Sequence, residues 1–164
     1  MNKIIIIGAI VVLGLIALMV WGRSSQTAGV SQNSGAISSL LSSEKLYDFG
    51  TISMKDGNVT KDFTVTNSGD KDVFVPSLVT SCMCTKAFIV EPNGTIKGPF
   101  SMPGMGYTPP ANETIKAGES RIIRAVYDPN AHGPAGVGFI DRFLILTDAS
   151  GGKLELEIKA VVTP

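Results

Sequence analysis

The sequence predicts an all-β domain, a sandwich of antiparallel strands, preceded by one transmembrane helix. Three observations predict it. An apolar run, Ile4 to Trp21, opens the chain and contains no charged residue. The chain holds 18 Gly and 9 Pro while only 17% of it is charged, a balance that favours many turns over long helices. Short stretches of alternating apolar and polar residues recur through it, as in strands that bury one face.

The apolar run fits a membrane helix by length. At ~1.5 Å per residue it spans ~27 Å, close to a hydrocarbon core of ~30 Å. Trp21 closes it where an interfacial aromatic belongs, and Arg23 follows. A cleaved signal peptide is the competing reading, but its apolar region is shorter, about 7 to 15 residues, and ends at a small-x-small site. Here the run ends Leu18-Met19-Val20-Trp21. Lys3 and the N-terminal amine against Arg23 favour the N-terminus inside and the domain outside. The expected organisation is therefore an anchor over residues 1–21 held in membrane lipid through 4–21, a flexible Ser- and Gly-rich linker over 22–43, and a domain over 44–164.

Within the domain, Leu46 to Gly50 alternates and stops at glycine, and Asp62 to Thr66 alternates before an Asn67-Ser68-Gly69-Asp70 turn. Val73-Phe74-Val75 follows, then Ala87 to Val90, Arg121 to Tyr127 and Phe139 to Leu146. The last strand is the clearest: Leu154, Leu156, Ile158, Ala160 and Val162 share one face, and Glu155, Glu157 and Lys159 the other. It reads as a half-buried antiparallel strand. Seven or so strands over this length suit an immunoglobulin-like sandwich with one longer loop. Two antibody hallmarks are missing, the Trp on a central strand and a widely spaced cysteine pair, so burial alone must hold the sheets together.

Five motifs occur in order: Tyr47 to Ile52, Phe63 to Asp70, Ser81-Cys82-Met83-Cys84-Thr85, Ile115 to Glu119, and Tyr127-Asp128-Pro129. Together they resemble the bacterial domain-of-unknown-function family 1573, relatives of the Hydin-type immunoglobulin-like domains. The resemblance runs from Leu46 to about Val162. It implies an immunoglobulin-like fold in an exported or surface-anchored protein and carries no activity with it. Two features depart from the family pattern: Met83 stands where the family usually has Gly, and Lys97 to Pro110, with Met102 and Met105, looks like an insertion.

Cys82 and Cys84 are the candidate chemistry. On a strand, residues i and i+2 point to the same face with Cα atoms ~6.6 Å apart, near the upper limit for a disulfide. A metal tolerates that arrangement better, since two thiolates bound at ~2.3 Å sit ~3.8 Å apart. Further donors must come from other loops, and alternate loops of a sandwich gather at one end. His132, the one histidine, lies in a turn between two strands. Thiolate, thioether and imidazole form a soft set that favours copper, as Cu(I), with zinc second. The expected ligands are Cys82, Cys84, Met105 and His132, with Met102 and Met83 as alternates. One histidine cannot supply a blue-copper centre, which needs two. Plainer readings stand beside this one: a polar loop histidine, methionines as apolar lids, two buried thiols, or a redox disulfide.

Other function classes are excluded or weak. The 14 basic and 14 acidic residues cancel without a like-charge run, which argues against a nucleic-acid partner. No phosphate-binding glycine loop, Ser-His-Asp set or carboxylate pair points to an enzyme. The expected function is a membrane-tethered, extracytoplasmic domain that binds a soft metal for copper handling or electron transfer. The alternatives are a metal-free module for a protein partner at the cell surface and a thiol–disulfide redox protein.

Overall fold

A computed structural model of the chain describes residues 38–164. The expected anchor over 1–21 and most of the expected linker lie outside those residues. Among the described residues, no helix is long and apolar enough to cross a membrane.

Among the described residues, eleven strands form three open sheets. The five-stranded sheet has the order β1 (Leu40–Ser42), β3 (Val59–Asn67), β9 (Ser120–Tyr127), β6 (Thr85–Val90), β7 (Ile96–Phe100). The four-stranded sheet has the order β2 (Leu46–Ser53), β11 (Lys153–Thr163), β10 (Gly138–Thr147), β5 (Ser77–Thr80). β4 (Val73–Val75) and β8 (Glu113–Ile115) pair as a small third sheet. Two short 3-10 turns, Met54–Asp56 and Gly133–Gly136, are the helical elements among the described residues.

Alternation along the strands builds the core. Phe63 and Val65 of β3, Ala87 and Ile89 of β6, and Ile123, Ala125 and Tyr127 of β9 turn inward from one sheet. Leu78 of β5, Ile140, Leu144 and Leu146 of β10, and Leu154 to Val162 at every second position of β11 face them. All belong to one buried cluster. This is the immunoglobulin-like sandwich expected, held together by apolar burial between two sheets.

Several details differ from the expectation. β1 lies within the segment read as linker: Leu40 is buried, and Ser42 Oγ donates to Thr64 O at 2.9 Å. The serines that make this stretch look like a tether serve here at the edge of a sheet. β11 pairs antiparallel with β10 but parallel with β2, so the sandwich is not antiparallel throughout. Side-chain alternation is the same for either direction, so the pattern alone does not tell them apart. The expected insertion begins as β7, an edge strand that carries Pro99, where a missing N–H costs no ladder bond.

Two connections cross between the sheets side by side and create the site. The turn from β5 to β6 passes from the four-stranded to the five-stranded sheet, and the β9-to-β10 loop passes back. Backbone bonds lace them together. Asp128 N donates to Cys84 O at 2.9 Å between the two connections, and Ser81 N donates to Phe143 O of β10 at 3.0 Å.

Candidate functional site

Cys82 and Cys84 occupy the tight turn that crosses from β5 to β6, not a strand. Thr85 N donates to Cys82 O at 3.1 Å, which closes the turn. Their Cα atoms are consequently 5.3 Å apart, inside the range a disulfide accepts, rather than at the strand spacing. The two sulfurs are joined. The turn brings the two cysteines closer than extended backbone would, and so within disulfide reach.

The turn is fixed from beneath. Thr80 Oγ1, itself buried, lies 3.0 Å from both the Cys82 and the Thr85 carbonyl oxygens and shares its proton between them. Phe143 N donates to Ser81 Oγ at 2.9 Å, which ties the turn to β10. Cys84 is buried against the core, Cys82 is half-buried, and Met83 at the tip is exposed.

His132 reaches the same point from the β9-to-β10 loop. Asp128 Oδ1 accepts from Asn130 N at 2.8 Å, and Asn130 Nδ2 donates to Met54 O at 2.8 Å, so the loop is anchored on both sides. Gly133 then turns the chain at φ +55°, a left-handed conformation that glycine adopts without steric cost. His132 stays exposed, with Nε2 3.2 Å from Cys82 Sγ. The donor atoms of Cys82, Cys84 and His132 all lie within 4.8 Å of one another.

The methionines are placed differently. Met83 rides on the cysteine turn itself with its side chain open to solvent. Met102 and Met105 lie in the segment between β7 and β8; Met105 is exposed, and its N–H donates to Met102 O at 3.4 Å. The structure thus brings together three of the expected donors, the two cysteines and the histidine.

One neighbour of the cysteines is not foreseen in the sequence reading. Arg142, half-buried on β10, donates from Nε to Cys84 Sγ at 3.3 Å and from Nη1 to Asp141 O at 2.8 Å. The signal was present: Arg142 interrupts the inward row Ile140, Leu144, Leu146 with a charge. Nearby, burial pushes the Tyr127 phenol up, and the Arg142 guanidinium only partly offsets it. A groove of about 400 Å³ lined by Gly69, Asp70, Phe74, Asp148 and Ser150 lies near the far end of β10, away from the cysteines.

Fold and site together define an immunoglobulin-like all-β domain with a Cys-x-Cys and histidine cluster at one end of its sandwich. The family described as Protein of unknown function (DUF1573) matches residues 40–97, a stretch that includes the cysteine turn and stops short of His132 and Arg142. No curated protein matches the chain in sequence. Among solved structures, a protein of unknown function from Porphyromonas gingivalis W83 is similar at TM-score 0.53 and 14% identity, covering 82% of this chain and 51% of that one. A family 123 glycoside hydrolase from Clostridium perfringens is similar at TM-score 0.51 and 7% identity, covering 73% of this chain and 23% of that one. The ASH / PapD-like domain of human CEP192 gives a TM-score of 0.45 at 12% identity, covering 76% of this chain and 85% of that one. This chain thus spans about half of the first protein and under a quarter of the second. At these identities the likeness is one of fold.

Proposed function

We propose that this chain is a membrane-tethered, extracytoplasmic domain that binds copper, as Cu(I), through Cys82, Cys84 and His132. Met105 is the proposed fourth donor, with Met102 or Met83 in its place. The reading rests on one observation above the others: three donor atoms from two separate connections lie within 4.8 Å. Reduction of the disulfide by a thiol reductant takes up two electrons and two protons and frees both thiols. Loading a metal then releases the thiol protons, because thiolate is the ligand. Two thiolates and an imidazole are soft to borderline donors that suit Cu(I) first and zinc second. Exposure of His132 and Met83 gives a donor or acceptor of copper a way in. The uncharged run Ile4 to Trp21 supports the membrane tether.

The test uses the full-length chain, reduced and held in detergent, in competition with a Cu(I) chelator. The parent is expected to take one copper per chain, and the Cys82→Ser/Cys84→Ser variant none. If neither protein holds copper or zinc, the metal reading fails.

The paired sulfurs also favour a second reading, thiol–disulfide exchange, with half-buried Cys82 as the attacked sulfur and buried Cys84 as its partner. Reversible reduction by a dithiol in metal-free protein, together with copper binding no tighter than in the double variant, would select this reading.

A further inference from the structure

We infer that Arg142 sets the metal preference of the site, favouring a monovalent soft cation over a divalent one. This inference rests on the metal reading above and goes on to name the residue that decides between its two candidate ions. Arg142 stands in the inward row of β10, between Ile140 and Leu144, where a charge is expensive to desolvate. Such a charge ordinarily meets a carboxylate. The ion pairs among the described residues use Lys61, Lys97, Arg121, Arg124 and Lys159, and none uses Arg142. Asp128, the acidic residue next to Tyr127, turns its Oδ1 to Asn130 N at 2.8 Å. Asp141 gives Arg142 its backbone carbonyl, while its carboxylate lies toward Lys159 at 4.0 Å. The atom that Arg142 Nε does address is Cys84 Sγ, at 3.3 Å.

A sulfur in a disulfide carries no charge, so the guanidinium acquires its counter-charge only when Cys84 is a thiolate. Charge then discriminates between metals. Two thiolates and a neutral imidazole hold two negative charges. A monovalent cation and the guanidinium neutralise both together. A divalent cation leaves one net positive charge in a site whose inner sulfur is buried, and repulsion between cation and guanidinium is doubled. Removing the charge at 142 relieves repulsion for either ion, but twice as much for the divalent one. The ratio of affinities therefore moves toward zinc. Arg142 is a positioning and charge-balancing residue and does not itself ligate the metal.

The experiment measures Cu(I) and Zn(II) affinities by chelator competition on the reduced full-length chain and on three variants. Arg142→Gln removes the charge; Arg142→Leu removes it with a side chain that suits the apolar row and serves if the glutamine variant does not fold. Arg142→Lys keeps the charge but not the guanidinium shape. The Cu(I):Zn(II) affinity ratio is expected to fall about tenfold or more in the two neutral variants and to stay within about threefold of the parent in the lysine variant. A ratio unchanged in both neutral variants overturns the inference. So does a lysine variant that falls as far as the neutral ones, since Arg142 would then act by shape. A parent that binds neither metal rejects the metal reading itself, and this inference with it.

Discussion

Arg142 Nε, on a strand of the four-stranded sheet, lies 3.3 Å from Cys84 Sγ, in the turn that enters the five-stranded sheet. Cys84 immediately precedes β6 in the five-stranded sheet, and Arg142 stands on β10 in the four-stranded one. The contact therefore couples the state of one sulfur to the packing of the sandwich. His132 approaches the other sulfur, Cys82, from outside, so one cysteine faces an inner cation and the other a solvent-exposed imidazole. In the proposed copper site, this asymmetry would give an inner donor held in place and an outer one open to exchange.

The turn beneath the cysteines depends on Thr80. Thr80→Val keeps the shape of the side chain and removes the hydroxyl that serves the Cys82 and Thr85 carbonyls. Leaving a buried acceptor unsatisfied costs about 1–3 kcal/mol. Urea denaturation of the oxidised protein should show a loss of that order, and copper affinity of the reduced protein should fall as the turn loosens. Unchanged stability would mean that the carbonyls find other donors.

Glu113 ties β8 to two neighbouring strands. Its buried carboxylate accepts from Lys97 Nζ of β7 and from Arg121 Nε of β9, each at 2.6 Å. Glu113→Ala leaves Arg121, whose side chain is 10% exposed, without its inner partner. Breaking a buried pair in this way costs about 3 kcal/mol, less here because Lys97 is 38% exposed and regains water. A loss of about 2 kcal/mol in unfolding free energy, read from denaturant titration, is expected, with Glu113→Gln intermediate.

Asp148 gives the fold a dependence on pH. Burial works to raise its carboxyl, but hydrogen bonds from Ser150, Ser38 and the Gly152 backbone prevail and hold it below the ordinary value of 3.8. Ser150 Oγ donates at 2.6 Å and Gly152 N at 2.9 Å, both to Oδ1. The folded value is thus lower than the unfolded one. The stabilisation is fully present above the unfolded value and is lost as pH falls through the folded one. Asp148→Asn should flatten the fall in stability on acidification below about pH 4. The remaining slope should persist, because the Arg124 hydrogen bond holds Asp62 low in the same sense. Denaturation midpoints measured between neutral and acid pH check this; a parent and variant with parallel profiles would contradict it.

Much of the sandwich was legible because its strands bury one face. Leu154, Leu156, Ile158, Ala160 and Val162 announce β11, and the inward rows of β3, β9 and β10 repeat the pattern. What was hidden has physical reasons. β1, β5 and β7 are edge strands, where Ser and Pro are tolerated because one side of the ladder is unpaired. The cysteines read as a strand because apolar and small residues flank them. Their turn is instead fixed by Thr80 and Asp128, which come from β5 and from the end of β9. The meeting of His132 with Cys82 followed from the rule that loops of a sandwich gather at one end. The approach of Arg142 did not, although a lone charge in an apolar inward row pointed to a buried partner.

The ligand set of the proposed copper site is read from X-ray absorption at the copper edge of the Cu(I)-loaded, full-length chain. One copper per chain is expected, surrounded by three sulfur scatterers (two thiolates and one thioether) and one nitrogen, with the nitrogen lost in His132→Ala and no copper retained by the double serine variant. Copper bound only by oxygen or nitrogen, or a spectrum unchanged by loss of both cysteines, would contradict the proposed site.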